Sequence, residues 1–318
     1  MKKVIITAIT ALVLFSCQND QAEGNNSEAA AQPTLRTCAS QDVLEAQLKA
    51  DPTLAIRMNE IEAYTNKALL SGKLVNGKIE IPVVVNVLYR TTAENISAAQ
   101  IQSQIDVLNK DFNALNSDYN SVPALFAGVK ANVGITFVLD QIIRKSTTKT
   151  SWGTNDAMKK TAQGGLAPTS PTTKLNMWSC TIGGGILGYA QFPGGASSTD
   201  GVVIDPKYFG LSGAANAPYN LGRTATHEVG HWMNLRHIWG DATCGSDLVA
   251  DTPTHNTANY GVPAYPHYST CSGTPVEMTM NYMDYVDDAA MYMFSNGQKS
   301  RIAAIFTSGG ARNSFAQP

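Results

Sequence analysis

Apolar residues follow two different periods along this chain. Between residues 34 and 78 they stand three to four positions apart, which predicts a helical segment. From Ile79 the pattern changes to that of β structure, so residues 79–87 are predicted to form a buried strand. The apolar positions of the helical segment are Val43, Leu44, Leu48, Leu54, Met58 and Ile61.

The rest of the pattern predicts an alternation of strands and helices. This order indicates an α/β fold on a mixed, twisted sheet, with one helix that carries histidines and a helical C-terminal part. The predicted elements are a helix over 98–115, strands over 135–139, 175–180 and 201–204, a β segment over 186–192, and helices over 225–233 and 296–306.

The N-terminus has the pattern of an export signal. Two lysines precede the apolar run 4–15, which is shorter than the ~20 residues that a spanning helix needs. Its end at residues 14–17 resembles a bacterial lipobox, so residues 1–17 are predicted to be a lipoprotein-type signal peptide with Cys17 as the lipidated residue and membrane attachment point. The alternative is an ordinary signal peptide that contains a cysteine. Both predict an exported protein, either a cell-surface or outer-membrane lipoprotein or a secreted one.

The remaining chain divides into three parts. Residues 18–33 have no large apolar side chain and are predicted to be a flexible tether. Residues 34–78 are predicted to be a pro-region, and residues 79–318 a single catalytic domain. Composition excludes one class of function: a net charge of −2 without a downstream Lys/Arg cluster gives no electrostatic basis for binding nucleic acid.

The chemistry is concentrated in residues 227–237. On a helix, His227 and His231 lie on one face, and Glu228 stands beside them within reach of a metal-bound water. Catalytic zinc takes three protein ligands, and His237 supplies the third if the helix stops between His231 and His237. Asn234 is the expected stop, because asparagine tolerates the left-handed conformation that ends helices. The alternative is three histidines on a surface helix and loop. It is disfavoured because the chain has only 5 histidines and three of them lie in this short stretch.

These residues resemble the zinc-binding motif of the metzincins. Trp232 and the segment 238–241 are similar to the pappalysin family, in its bacterial ulilysin-like branch, although metzincins carry glycine where this chain has Asn234. Residues 281–285 are similar to the family's Met-turn. The resemblance covers about residues 79–306 and implies an α+β metzincin-like fold, with Met283 as an apolar floor under the histidines and Tyr285 beside the metal.

The resemblance implies a zinc-dependent endopeptidase that acts on proteins or peptides. A zinc-bound water would attack the scissile carbonyl, Glu228 would act as general base, and Tyr285 would stabilise the oxyanion. Residues 183–193 are similar to the family's edge strand above the cleft, which could pair with an extended substrate. An ordinary glycine-rich hairpin is the alternative for this segment.

The resemblance also assigns the cysteines and the acidic loop. It implies a disulfide between Cys244 and Cys271. Residues 36–38 are similar to a pro-region motif in which Cys38 blocks the zinc and keeps a precursor latent, whereas a Cys38–Cys180 disulfide is the alternative. Calcium is expected in the loop after the third histidine. A weak preference for basic substrate residues is expected near Asp287 and Asp288. The expected calcium ligands are Asp241, Asp247, Asp251 and Thr252.

Two other functions remain open at this point. A surface lipoprotein with structural zinc could act as a binding module, but structural zinc normally has four protein ligands. A metal hydrolase with a non-peptide substrate would use the same ligands. His255 and His267 are interpreted as loop surface residues and not as ligands.

Overall fold

The computed structural model describes residues 35–71 and 79–316, so the predicted signal peptide at 1–17 and the tether at 18–33 lie outside the described residues. No helix within these ranges is both long and apolar enough to cross a bilayer. Short 3-10 helices occupy several connections. The main elements are α1 (Ser40–Ala50), α2 (Thr53–Ser71), β1 (Ile79–Tyr89), α3 (Ala98–Phe112), β2 (Lys130–Ala131), β3 (Ile135–Ser146), β4 (Leu175–Ser179), β5 (Gly188–Ala190), β6 (Val202–Ile204), α4 (Arg223–Trp232), β7 (Phe294–Ser295) and α5 (Asn296–Phe306).

The central sheet has five strands in the order β3-β1-β4-β6-β5. Strand β1 pairs in parallel with β3 and β4, and β4 pairs in parallel with β6. Strand β5 runs antiparallel to β6 and forms one edge of the sheet. The prediction of an α/β fold on a mixed sheet is therefore confirmed.

Successive residues of the central strands enter two apolar cores. Met177 and Val202 belong to the larger core, which also contains residues of α3 and α4, whereas Trp178 and Val203 belong to a smaller core. Because neighbouring residues of a strand point to opposite faces, the sheet is covered on both sides. Helix α3 packs against β3 and α4, and α4 packs against β5 and β6 at the sheet edge.

Two predicted boundaries differ from the structure by three residues or more. Strand β3 continues to Ser146 instead of ending at Leu139, because it pairs with β1 as far as Tyr89. Its second half is exposed or half-buried and mostly polar, with Ile142 and Ile143 as its two apolar residues, so its hydrophobic pattern is weak. Helix α3 ends at Phe112 instead of residue 115, because the chain turns at Ala114 with a φ of 55°.

Helices α1 and α2 form the helical segment predicted near the N-terminus. Pro52 separates them, as expected for a residue that cannot continue a helix. Val43 joins the smaller core, while Leu44 and Leu54 pack against Phe192, just beyond β5. The two helices therefore cover the region beside the edge strand.

Candidate active site

Helix α4 is buried along its whole length and carries the first two histidines. The Nε2 atoms of His227 and His231 are 3.1 Å apart. His237 lies beyond the helix, and its Nε2 is 3.0 Å from that of His231. The structure thus brings the three predicted imidazoles to one point.

A tight turn at the end of α4 makes this convergence possible. Asn234 has a φ of 71°, as the sequence predicts for the residue that ends the helix. The Leu235 N–H donates to the Gly230 carbonyl at 3.0 Å, and the Asn234 N–H to the His231 carbonyl at 2.9 Å. These two bonds form a Schellman motif, which reverses the chain and returns His237 to the face of α4.

Each imidazole is held through its Nδ1 atom. Nδ1 lies 2.7 Å from the Tyr282 carbonyl in His227, 2.8 Å from the Leu235 carbonyl in His231, and 2.5 Å from Asp241 Oδ1 in His237. Carbonyl and carboxylate oxygens only accept hydrogen bonds, so all three Nδ1 atoms carry the proton. The lone pairs of the Nε2 atoms therefore face one another.

Three converging lone pairs repel one another unless a cation lies between them. Tetrahedral zinc with Zn–N bonds of about 2.0–2.1 Å would separate the nitrogens by roughly 3.3 Å, close to the observed spacing. Burial lowers the pKa of His227 and His231 well below the usual value, with neighbouring imidazoles as a further cause, so both rings are neutral and able to bind a metal. The donor set therefore fits zinc.

Cys38 joins the three histidines. In the described part of the chain, these four side chains form the one group of three or more His, Cys, Asp or Glu whose ligand atoms all lie within 4.8 Å of one another. Burial, followed by the charge of Glu228, raises the pKa of the Cys38 thiol well above its usual value. A coordinated cation reverses this effect, because it stabilises the thiolate.

The Met-turn lies directly under the histidine helix. An ideal Cβ at Gly230 would stand 2.5 Å from Met283 Sδ, so the glycine between the two helical histidines lets the sulfur approach the backbone. The Met283 carbonyl accepts the Ile238 N–H at 3.1 Å, just after the third histidine. Met283 therefore contacts both segments that carry the imidazoles.

Aromatic rings surround His237. Tyr285 meets it edge-on at a centroid distance of 4.9 Å, and Trp239 stacks on it at 4.4 Å with an interplanar angle of 9°. Burial raises the pKa of Tyr285 well above 10, so its hydroxyl remains a donor, and it donates to the Cys38 carbonyl at 3.2 Å. The contact of Trp239 was not predicted, because only the fold brings its ring over the imidazole.

Glu228 is buried beside the histidines. Its Oε2 accepts hydrogen bonds from Ser40 Oγ at 2.8 Å and from Cys38 Sγ at 3.4 Å. Burial raises the pKa of Glu228 to about 7, although these two bonds oppose the shift. Ser40 also accepts the Ala190 N–H at 2.8 Å. Sequence reasoning missed Ser40, since nothing local marks a serine 188 positions from its carboxylate partner.

Comparison with known proteins identifies the family. The family model described as pregnancy-associated plasma protein-A, of the M43 peptidases, matches residues 179–307. Extracellular metalloprotease 1 of Coccidioides posadasii is 32% identical over 254 residues, covering 77% of this chain and 84% of that protein. An extracellular metalloprotease of Pyricularia oryzae is 31% identical over 282 residues, covering 85% and 88%. The chain belongs to the pappalysin family. It is a zinc metalloendopeptidase.

Solved structures agree with this assignment. A Tannerella forsythia promirolysin mutant matches this pappalysin with a TM-score of 0.82 and 40% identity, covering 88% of this chain and 97% of that one. Mature mirolysin of the same organism, in complex with a cleaved peptide, matches with a TM-score of 0.73 and 43% identity, covering 76% and 97%.

In this pappalysin the edge of β5 is already paired. The Leu187 N–H donates to the Thr37 carbonyl at 2.9 Å, and the Ala39 N–H to the Gly188 carbonyl at 3.1 Å. Cys38 and Gly188 form a parallel bridge. Residues 183–193 thus contain a sheet-edge strand, Gly188–Ala190, whose free side is occupied by residues 37–39, and its pairing with a substrate stays a prediction.

Arg36 fills a buried pocket next to this edge. Its Nη2 donates to Asp288 Oδ1, its Nε to the Val286 carbonyl at 3.0 Å, and its Nη1 to Thr224 Oγ1 at 3.3 Å. Its guanidinium also lies over the Tyr219 ring, 4.8 Å from the centroid. Of the two predicted pocket residues, Asp288 lines this pocket, whereas Asp287 remains half-buried at its rim.

The four predicted calcium ligands do not converge. Asp241 bonds His237, and Asp251 accepts bonds from Ser295 Oγ at 2.6 Å and the Gly297 N–H at 2.8 Å at the start of α5. Asp247 and Thr252 contact each other at 2.9 Å. Two of the carboxylates hold other parts of the fold and the carboxylates do not form one cluster, so calcium binding by these four residues stays a prediction.

The remaining cysteines and histidines have clear positions. Cys244 and Cys271 form a disulfide, whereas Cys38 and Cys180 are free and buried, so they do not pair with each other. The interpretation of His255 as a surface residue is wrong: it is fully buried, and its Nε2 accepts the Met278 N–H at 3.0 Å. His267 remains part-exposed and bonds Glu277 at 2.9 Å.

Proposed function

We propose that this pappalysin is an exported zinc endopeptidase, made as a latent precursor, in which His227, His231 and His237 hold the metal. One observation carries the proposal: three buried Nε2 lone pairs converge at 3.0–3.1 Å, with every Nδ1 proton engaged elsewhere. When bound, zinc supplies a Lewis acid that polarises the scissile carbonyl and lowers the pKa of a water molecule towards ~7.

Glu228 and Tyr285 supply the remaining catalytic groups. Glu228 takes the proton of the attacking water and delivers it to the leaving amine. Tyr285 donates its hydroxyl hydrogen bond to the scissile carbonyl oxygen. This role is supported by the bond that the hydroxyl already makes to a peptide carbonyl, that of Cys38.

Residues 34–78 act as a pro-region that keeps the domain 79–318 inactive. Three residues support this role: Cys38 brings a thiol to the three imidazoles, Ser40 bonds the catalytic carboxylate, and Arg36 fills the neighbouring pocket. Promirolysin covers 12 percentage points more of this chain than mature mirolysin does, or about 38 residues. That length is close to the described part of the pro-region, residues 35–71.

The pocket of Arg36 selects basic side chains of the substrate. Asp288 supplies a buried negative charge, and the Val286 carbonyl and Thr224 hydroxyl accept the other guanidinium protons. An arginine of the substrate would use the same partners after the pro-region leaves. Mature mirolysin was solved with a cleaved peptide, which agrees with peptide substrates for this chain as well.

Export and calcium binding are part of the same proposal. The relatives are named extracellular metalloproteases, which supports export by a signal peptide at 1–17. The tether at 18–33 and lipid attachment at Cys17 are proposed from the sequence alone; metabolic labelling with palmitate that persists in Cys17→Ala would contradict the lipid. Burial raises the pKa of Asp247, next to Thr252, to about 6, a cost that calcium would offset. An unchanged melting temperature of the zinc-loaded protein on adding Ca²⁺ would contradict calcium.

Casein digestion tests the catalytic assignment. We expect digestion by the protein freed of residues 34–78 to stop with a zinc chelator and to fall by at least ~10³-fold in Glu228→Gln, which keeps its zinc. His231→Ala should lose both zinc and activity. Undiminished digestion by Glu228→Gln would refute the role of the glutamate, and a zinc-free wild-type protein would refute the metal site.

A further inference from the structure

Two buried arginines meet the C-terminal end of the histidine helix. The Schellman motif uses the carbonyls of Gly230 and His231. Arg312 Nε donates to the Trp232 carbonyl at 2.6 Å, and Arg301 Nε donates to the Asn234 carbonyl at 2.8 Å. Positive charge at this end of a helix also interacts favourably with its dipole. The turn that returns His237 to the metal is therefore held by side chains from the C-terminal part of the chain.

The two arginines differ in the origin of their counterions. Arg312 pairs with Asp200 at 2.9 and 3.0 Å, within the catalytic domain. Arg301 pairs with Glu62 of α2, through Nη1 at 2.8 Å and Nη2 at 2.5 Å. Only 1% of the Arg301 side chain is exposed, against 24% for Glu62. A buried guanidinium depends strongly on its partner, because an unpaired charge is costly in the interior.

We propose that Arg301 is a positioning residue for the metal centre and that Glu62 of α2 fixes it in the full chain. The pro-region thus supports the His237 turn from behind, in addition to covering the cleft through Cys38. This inference rests on the proposed function, since it assumes that the three histidines hold zinc. The structural link is short: Glu62 holds Arg301, Arg301 holds the Asn234 carbonyl, and His237 follows three residues later.

A simple docking contact between α2 and α5 is the competing explanation. Tyr64, also on α2, provides the matched control. Its hydroxyl bonds Thr307 Oγ1 and the Ser308 carbonyl, both at 2.7 Å, just beyond α5 and without a contact to the turn at Asn234. Tyr64→Phe therefore removes docking bonds of the same helix and leaves the positioning link in place.

The test compares Glu62→Gln, Arg301→Lys and Tyr64→Phe in the full chain loaded with Co²⁺. The dissociation constant is measured by chelator competition, and the visible absorption bands report the coordination geometry. We expect Glu62→Gln and Arg301→Lys to weaken Co²⁺ binding by roughly tenfold and to change the bands, as loss of a group that orients a ligand does. The double variant should match Arg301→Lys alone, since both act through one link.

Tyr64→Phe should lower the melting temperature but keep the affinity and spectrum of the wild type. Wild-type affinity and spectrum in Glu62→Gln would overturn the proposal, as would equal effects in Glu62→Gln and Tyr64→Phe. If Arg301→Lys does not fold, Glu62→Gln decides alone, because its side chain is part-exposed and it keeps the shape of the glutamate. If His237→Ala binds Co²⁺ as tightly as the wild type does, the metal site itself is refuted instead.

Discussion

Replacing Asn234 with glycine should stabilise this protein, and comparison with alanine isolates the reason. Asn234 adopts a φ of 71° and is buried, and its Nδ2 finds no hydrogen-bond partner within the described residues. The residue is therefore suited to the turn through its backbone, whereas its amide is left without an acceptor. The carbonyl that accepts Arg301 belongs to the main chain and is kept in every variant.

The magnitudes follow from these two features. Removing an unpaired buried donor stabilises the folded protein by about 1–3 kcal/mol. The greater backbone entropy of glycine in the unfolded chain reduces this gain by about 0.5–1 kcal/mol. Asn234→Gly should thus gain about 1 kcal/mol, or roughly 2–4 °C in melting temperature. Asn234→Ala removes the same amide but keeps a Cβ, which costs about 1–2 kcal/mol in this conformation. The free energy of unfolding of Asn234→Gly should therefore exceed that of Asn234→Ala by about 1 kcal/mol.

Urea unfolding measures the difference. The variants are made in the Glu228→Gln background, so that self-digestion does not distort the curves, and all are saturated with zinc. An alanine variant as stable as the glycine variant would show that the left-handed turn does not control stability here. A glycine variant less stable than the wild type would show that the Asn234 amide has a favourable contact in solution.

Three further predictions concern the precursor, the pocket and the disulfide. Cys38→Ser in the full chain should raise peptidase activity by about tenfold, equivalent to ~1.4 kcal/mol, because a serine hydroxyl binds zinc less well than a thiolate and leaves the metal more accessible; an unchanged rate would exclude the thiol from latency. Asp288→Asn should lower kcat/KM for arginine peptides by about a hundredfold, since it leaves a buried cation unpaired, and an equal loss for uncharged peptides would point to misfolding instead. Cys244→Ser with Cys271→Ser should lower the free energy of unfolding by about 3–4 kcal/mol, and urea curves that match the wild type would refute this.

Local chemistry made the centre of the site predictable. The spacing of His227 and His231 follows directly from the helix period, and the choice of residue at Asn234 reports the left-handed turn. Strand β1 was equally clear, because burial on both faces leaves a nearly continuous apolar run. In each case the relevant interaction spans a few residues, so the sequence contains its signal.

Long-range partners were not predictable in the same way. Asp241 bonds the third histidine, and nothing in the loop sequence separates this role from the predicted calcium binding. The Arg36–Asp288 pair joins residues 252 positions apart, and Ser40 reaches Glu228 across 188. The sequence does not mark His255 as buried, because its hydrogen-bond partner Met278 lies 23 positions further along the chain. These pairings arise only when the whole chain has folded.

The Cys244–Cys271 disulfide has a consequence for an enzyme that encounters copies of itself. The enclosed loop exposes Val262, Tyr265 and Tyr268, so it is open to attack by a peptidase. One cut between the two cysteines leaves both fragments covalently joined, with all three histidines upstream of the cut and Met283 downstream of it. A nicked molecule would therefore migrate as one band without reductant and as two bands with it, while still holding its active site together.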